Sequence, residues 1–213
     1  MSARFDDVAS ASIAAWQDAR VAQPGWATDP AVEHRDGAWH WIEANHRCNT
    51  QLWDEEDQAR RRDVSDAAIA ANKRAIDGFN QRRNDAVERI DEALLARLAD
   101  VTPAHDAWHS SETAGAMIDR LSILALKIFH MHEQTQRADA SPEHVATCRD
   151  KLARLGLQRR DLGRCLDTLL ARAAEGRAFW RVYRQFKMYN DPSLNPYLYG
   201  GTGRKKADTG HGA

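Results

Sequence analysis

Glycine and proline are scarce, and badly placed for a strand-rich fold. Only twelve glycines and six prolines occur in 213 residues, and five of the glycines fall after residue 199. The body of the chain therefore lacks the turns that many short strands need, and no alternating strand pattern is present. No stretch approaches the roughly 20 apolar residues of a membrane span. The opening MSARFDDVAS places acids where a secretory leader needs a basic start, so a cytoplasmic protein is expected. Cysteine is rare too. Cys48, Cys148 and Cys165 are odd in number and far apart, which suits buried thiols better than disulfides or a zinc site. Charge of one sign is missing as well: 30 Lys and Arg face 31 Asp and Glu, for a net charge of -1. That balance gives no general electrostatic reason to bind nucleic acid, and any recognition of charge must be local.

What remains is helical periodicity. A first helix is expected around residues 2–21, followed by the turn-rich AQPGWATDPAVEHRDG and a second helix over about 38–62. Ser65 is the expected N-cap of a long third helix, whose apolar period runs through Ile69, Ile76, Val87, Ile90, Leu94 and Leu98 until Thr102-Pro103. Residues 110–113 cap a fourth helix reaching about Arg137. Ser141-Pro142-Glu143 opens a fifth, reaching about Gly176. AFWRVYRQFKMY reads as a last aromatic helix, before the apolar but non-helical SLNPYLYG. The expected architecture is all-α: an antiparallel bundle of five or six helices with a central buried helix and a non-helical C-terminal tail. One domain covers residues 1–198, and residues 199–213 read as disordered.

Polar residues are the informative part. At about 100° per residue, His46, Asn49, Glu56, Asp57 and Arg60 fall near the face drawn by Trp39, Ile42 and Trp53. On the third helix Lys73, Asn80, Arg83, Asn84 and Asp91 fall on or beside the apolar face, with Asp77 at its edge. The fourth helix is apolar nearly all round, yet Asp119, Ser122, His130 and Glu133 form one strip of it, and Arg120 and Lys127 another. A charged stripe on one helix is usually a solvated face. Three helices sharing the pattern favour a polar centre, in which ionisable groups pair, hold a metal or line a wet cavity.

Four runs in the chain carry a resemblance: NHRCNTQLWDEEDQAR, IDGFNQRRNDAVERID, SETAGAMIDRLSILALKIFHMHEQ and YRQFKMYNDPSLNP. Together they resemble an uncharacterised bacterial family, domain of unknown function 4254, from about Trp39 to Pro196. The family pattern is similar at His46, Asn49, Trp53, Glu56, Asp57, Asp77, Asn80, Gln81, Arg83, Asn84, Asp91, Glu112, Asp119, Arg120, Ser122 and Lys127. Ala114 departs from it, standing where a proline is expected in the family. The resemblance implies a place beside glycosyltransferases in the synthesis of lipopolysaccharide or other surface glycans, and no defined reaction.

Known chemistries fit the residues incompletely. A carboxylate-bridged di-metal bundle needs two Glu-x-x-His pairs and two further Glu. Glu43-x-x-His46 is one such pair, and His130-x-x-Glu133 runs in the reverse order. No cofactor is evident, although a divalent metal would suit this mixture of imidazole and carboxylate. His46, Glu56, Asp119, His130 and Glu133 are the candidates for proton transfer. Asn49, Arg60, Lys73, Asp77, Asn80, Arg83, Asn84, Asp91, Arg120, Ser122 and Lys127 are the candidates for binding a sugar phosphate or sugar acid. Two readings follow: a binding or accessory protein of surface-glycan assembly, partnered by a glycosyltransferase or a sugar-phosphate ligand, and an enzyme acting on an activated sugar or phosphorylated metabolite. Trp39, Trp53 and Trp180 read as packing residues, whereas an exposed Trp26 or Trp108 would suggest partner binding.

Overall fold

The structure is a computed structural model, and residues 3–188 and 191–199 are described. A 3-10 turn over Ala3–Val8 leads into α1 (Ser10–Val21). After a 3-10 turn at Trp26–Thr28 come α2 (Gly37–Gln58) and α3 (Asp66–Ala96). A two-residue strand β1 (Trp108–His109) precedes α4 (Ala114–Thr135), α5 (Pro142–Ala174) and a second short strand β2 (Ala178–Phe179). The four-residue α6 (Pro196–Tyr199) comes last. The chain divides into two compact units, residues 1–182 and 183–213. The tail expected to be disordered lies, apart from Tyr199, outside the described residues.

The caps sit where the sequence puts them. The Ser65, Thr113 and Ser141 hydroxyls accept the backbone N–H of Ala68, Ala116 and His144, each satisfying a donor that a helix start leaves orphaned. In the first unit α2 and α3 form one hairpin and α4 and α5 another, with α1 laid across α4 and α5. Ile13, Ile42, Ile90, Leu94, Ile118, Leu121, Leu166, Leu169 and Leu170 meet in the core, all fully buried. Each such side chain contributes about 2 kcal/mol relative to leaving it in water. α4 touches all four other long helices of the unit, as a central helix must.

Two helix starts are capped from a neighbouring helix. Asp167 of α5 accepts the Ser10 backbone N–H at 2.9 Å and the Ser10 hydroxyl at 2.7 Å, at the start of α1. Asp91 of α3 accepts the Gly115 N–H at 2.7 Å, at the start of α4. The close approach needs glycine, because a Cβ on Gly115 would lie 2.5 Å from the Val87 carbonyl oxygen and 2.9 Å from the Asp91 carboxylate.

The last aromatic helix does not form. Gly176 takes φ 70°, and its carbonyl accepts the Ala104 N–H at 2.8 Å, so the chain leaves α5 and runs beside residues 102–110. There Ala178 and Phe179 pair in parallel with Trp108 and His109, a strand that the sequence pattern did not show. Trp180 is buried, and residues 181–187 have no regular structure. Tertiary pairing outweighs the helical period here. Helix α2 also stops at Gln58, four residues short of expectation.

Candidate functional site

Asp119, Ser122, His130 and Glu133 share one strip of α4, and the structure splits that strip in two. Its first half is sealed. His46 of α2 has 0% exposure, and its Nε2–H donates to the Gln17 carbonyl oxygen of α1 at 3.2 Å. Nδ1 must then accept, and the Ser122 hydroxyl of α4 donates to it at 2.7 Å. The Asn49 amide donates to Ser122 Oγ at 3.0 Å and to Asp119 Oδ1 at 2.9 Å, while Asn45 donates to the same carboxylate oxygen at 2.8 Å. Arg83 of α3 brings its Nε within 3.8 Å of Asp119 and donates through Nη2 to Asn84 Oδ1 at 3.2 Å. Polar groups of α1, α2, α3 and α4 thus meet in one directional network.

Burial pushes the His46 imidazole down to about 4, against a smaller upward pull from the Gln17 carbonyl. The ring is therefore neutral at pH 7. Ser122 and His46 have the spacing of a nucleophile and its base, yet both are fully buried and neither lines any of the main cavities. The geometry gives no route for a substrate to them, and their proton-transfer role has no support in it. Asp91 is a second sealed group. Burial raises its carboxyl to about 6, opposed by Thr113, the Gly115 N–H and Trp180.

The second half of the strip is open. The His130 ring stacks on Trp53 at 4.6 Å, and its Nδ1 lies 2.8 Å from Glu133. Both side chains meet solvent. Beside them a depression of about 580 Å³ is lined by Trp53, His130, Lys127, Lys151, Arg154 and Gln158. A larger one of about 1140 Å³ lies between α4 and α5 under β1 and shares Lys127 and Gln158 with it; Trp108, Arg120 and Arg172 are among its other walls. A third, of about 330 Å³, carries Asn49, Glu56, Arg60, Asn80 and Arg83 and meets the 580 Å³ depression at Trp53 and Asp57. The three form one trough along the exposed side of α4.

The trough is basic. Arg120 is neutralised by Glu112, and Arg164 by Asp161. Lys127, Lys151, Arg154 and Arg172 have no carboxylate partner among the described residues. Sequence reasoning found Lys127 and Arg120 but missed the α5 wall. Its signal was present in the spacing of Lys151, Arg154, Gln158, Asp161, Cys165, Thr168 and Arg172, three or four residues apart on one helix face.

Several sequence expectations are corrected. Lys73 and Asp77 pair only with each other, at 3.8 Å and about two-thirds exposed, and Arg60 pairs with Glu56 on the surface. Lys73 and Asp77 lie near the tip of the α2–α3 hairpin, where among Asp66–Ala75 only Asn72 is buried, so an inward-facing angle meets no third helix, whereas Glu56 and Arg60 line the 330 Å³ depression with Ile123 and Leu126 of α4. Glu43 does not join His46. Its buried carboxylate accepts from Arg47 and from the backbone N–H of Glu33 and His34. Burial would raise it, but these partners prevail and hold it below the usual carboxylate range. Arg47 donates onward to the carbonyls of Trp26, Asp29 and Ala31, so the pair pins the loop before α2. Trp26 is buried against Trp16 and His46 rather than exposed, whereas Trp108 is exposed. Cys48 and Cys148 are buried, but Cys165 is exposed on the trough side of α5. Among the described residues no three His, Cys, Asp or Glu side chains stand close enough to hold a metal ion, and no helix is long and apolar enough to cross a membrane.

The fold and the trough define a class: an all-α bundle with a sealed polar network at its centre and an open basic channel on one flank. Residues 39–182 match the family described as "Protein of unknown function (DUF4254)", and the chain belongs to that family. The match ends where the first compact unit ends, so the run YRQFKMYNDPSLNP lies beyond it. No curated protein and no solved structure matches the chain.

Proposed function

We propose that the protein is a cytoplasmic binding or accessory protein of bacterial surface-glycan synthesis, which holds an anionic sugar ligand, a sugar phosphate or nucleotide sugar, in the trough between α4 and α5. One observation carries the reading: four cations without carboxylate partners, Lys127, Lys151, Arg154 and Arg172, line adjoining depressions of about 1140 and 580 Å³ in a chain of net charge -1. Partnerless cations suit phosphate oxygens, which accept charge-assisted hydrogen bonds. The indoles of Trp53 and Trp108 on the same walls offer flat apolar faces beside them.

The test is thermal stabilisation by nucleotide sugars and sugar phosphates, since a ligand at a hundred times its Kd stabilises by about 2.7 kcal/mol. Lys127→Ala combined with Arg172→Ala removes the shift while leaving the unliganded melting temperature nearly unchanged. A ligand that stabilises parent and variant equally sinks the trough as its site. For the accessory role, a glycosyltransferase co-purifies with the protein.

A second reading is an enzyme acting on the same ligand class, and the His130–Glu133 pair favours it. This imidazole, unlike that of His46, meets solvent at the edge of the 580 Å³ depression and is held by a carboxylate in the way a general base is oriented. Under that reading His130→Ala abolishes turnover of a bound ligand and spares its binding.

A further inference from the structure

The cations of the trough that lack carboxylate partners are not spread evenly along it. Lys127, Lys151 and Arg154 share the walls of the 580 Å³ depression, where Asp57 is the carboxylate set against them. Arg172 stands apart, on the wall of the 1140 Å³ depression. Arg154 and Arg172 are eighteen residues apart on α5, roughly 27 Å at the rise of an α-helix. No single phosphoryl group touches both.

Apart from Lys127 and Arg172, the larger depression carries no net charge. Glu112 neutralises Arg120, Asp161 neutralises Arg164, and Gln158 and Thr168 continue the polar wall of α5. Met117, Ile123, Leu124 and Leu162 supply apolar surface beside them. Neutral pairs of donors and acceptors next to apolar surface suit sugars, whose hydroxyls donate and accept and whose ring faces are C–H. A second phosphate there would meet Glu112 and Asp161. Trp108 stands at the Arg172 end, because β1 pairs with β2, which follows α5 in the chain. Its indole is 48% exposed, and its backbone N–H donates to the Arg177 carbonyl at 3.0 Å. Strand pairing, not packing of the ring, holds it there.

We infer that the ligand of the trough is an oligosaccharide with a terminal phosphate or diphosphate. Its anionic end sits on Lys127, Lys151 and Arg154, and its sugar chain runs along α5 towards Trp108, where a later sugar stacks on the indole. This rests on the reading of the trough as a site for an anionic sugar, and narrows it to a chain of sugars. A monosaccharide phosphate falls far short of the span from Arg154 to Arg172. A nucleotide sugar carries its diphosphate between two uncharged groups, and with that diphosphate on the three cations neither group reaches Trp108. The protein then receives a glycan already built by sugar transfer, and not the activated monomer that feeds the transfer.

The experiment is isothermal titration of the full chain with mono-, di- and tetrasaccharides of glucose and of N-acetylglucosamine that carry a phosphate at the reducing end, beside the unphosphorylated tetrasaccharides and uridine diphosphate glucose. The expected result is an affinity that rises about tenfold from monosaccharide to tetrasaccharide phosphate, with weak binding of the unphosphorylated chains. Lys151→Ala with Arg154→Ala weakens every phosphorylated sugar by a similar factor. Trp108→Ala weakens the tetrasaccharide phosphate about fivefold and leaves the monosaccharide phosphate unchanged. All three side chains are exposed, so the variants fold as the parent does. Affinity that does not change with chain length overturns the inference, as does uridine diphosphate glucose binding more tightly than either tetrasaccharide phosphate. If that binding is lost on Lys151→Ala with Arg154→Ala, the trough still stands as the site of a smaller anionic sugar. Absence of binding by every probe overturns the inference and that reading together.

Discussion

The two ends of α4 carry the same kinds of side chain on the same strip and put them to opposite uses. Asp119 and Ser122 face His46, Asn45, Asn49 and Arg83 across a closed centre, where every hydrogen bond has a definite direction. His130 and Glu133, two and three turns on, pair at the rim of an open depression. The difference teaches that residue type and helical phase do not decide whether a polar strip is structural. Coverage by other helices decides it. α1, α2 and α3 close over the first half, where only Asn49 and Arg83 reach the trough, and the second half is left open to it.

The contrast breaks most visibly at Asp119. Asp119→Ala leaves the amides of Asn45 and Asn49 without their shared acceptor and strips Arg83 of its counter-charge, which costs roughly 3 kcal/mol by the usual penalty for orphaned buried polar groups. For a chain of this length that lowers the melting temperature by about 10 °C, read by calorimetry. A fall of only a degree or two would mean that the network is wet and loosely held.

An intermediate effect comes from pH, and it sharpens the picture of the sealed half. His46 is depressed to about 4 from 6.5, so its contribution is present above pH 6.5 and is lost as pH falls towards 4. Asp91 is raised to about 6 from 3.8, so its contribution is present below pH 3.8 and is lost as pH rises through 6. Each amounts to roughly 3 kcal/mol, and over the window from pH 4 to 6 they oppose one another. Asp91→Asn removes one side. That variant is at least as stable as the parent at pH 7 and loses stability more steeply on acidification, measured by urea unfolding at a series of pH values. If the variant is weaker at pH 7, the ionised carboxylate at the start of α4 is worth more than its burial costs.

The smallest effect belongs to the open half. Glu133→Ala removes only a solvent-exposed pair, and exposed pairs are worth about 0.5 kcal/mol or less. A melting temperature unchanged within about 2 °C is expected. A loss approaching that of Asp119→Ala would erase the distinction between the two halves.

Much of this was legible in advance. The caps at Ser65 and Ser141 and the apolar period of α3 need only neighbours along the chain, and so do the four-sided apolar pattern of α4 and the family resemblance. The convergence of His46, Asn49, Arg83, Asp119 and Ser122 was legible as well, because each lies on a face that its own helix must bury. Lys73 and Asp77 met the same angular test and failed in space. They ride the hairpin tip, where no third helix arrives, while Glu56 and Arg60 pair on the surface at the edge of the trough. The aromatic segment after Gly176 looked helical, but its backbone found partners at residues 104–110.

By itself the sequence determined the helices, their starts and the choice of which residues would be polar within an apolar bundle, since propensity, capping and periodicity act over a few residues. Only the tertiary structure decided which of those polar groups would be sealed and which would line a basic trough. That choice depends on which helices cross above a given turn, a long-range fact that no local pattern encodes.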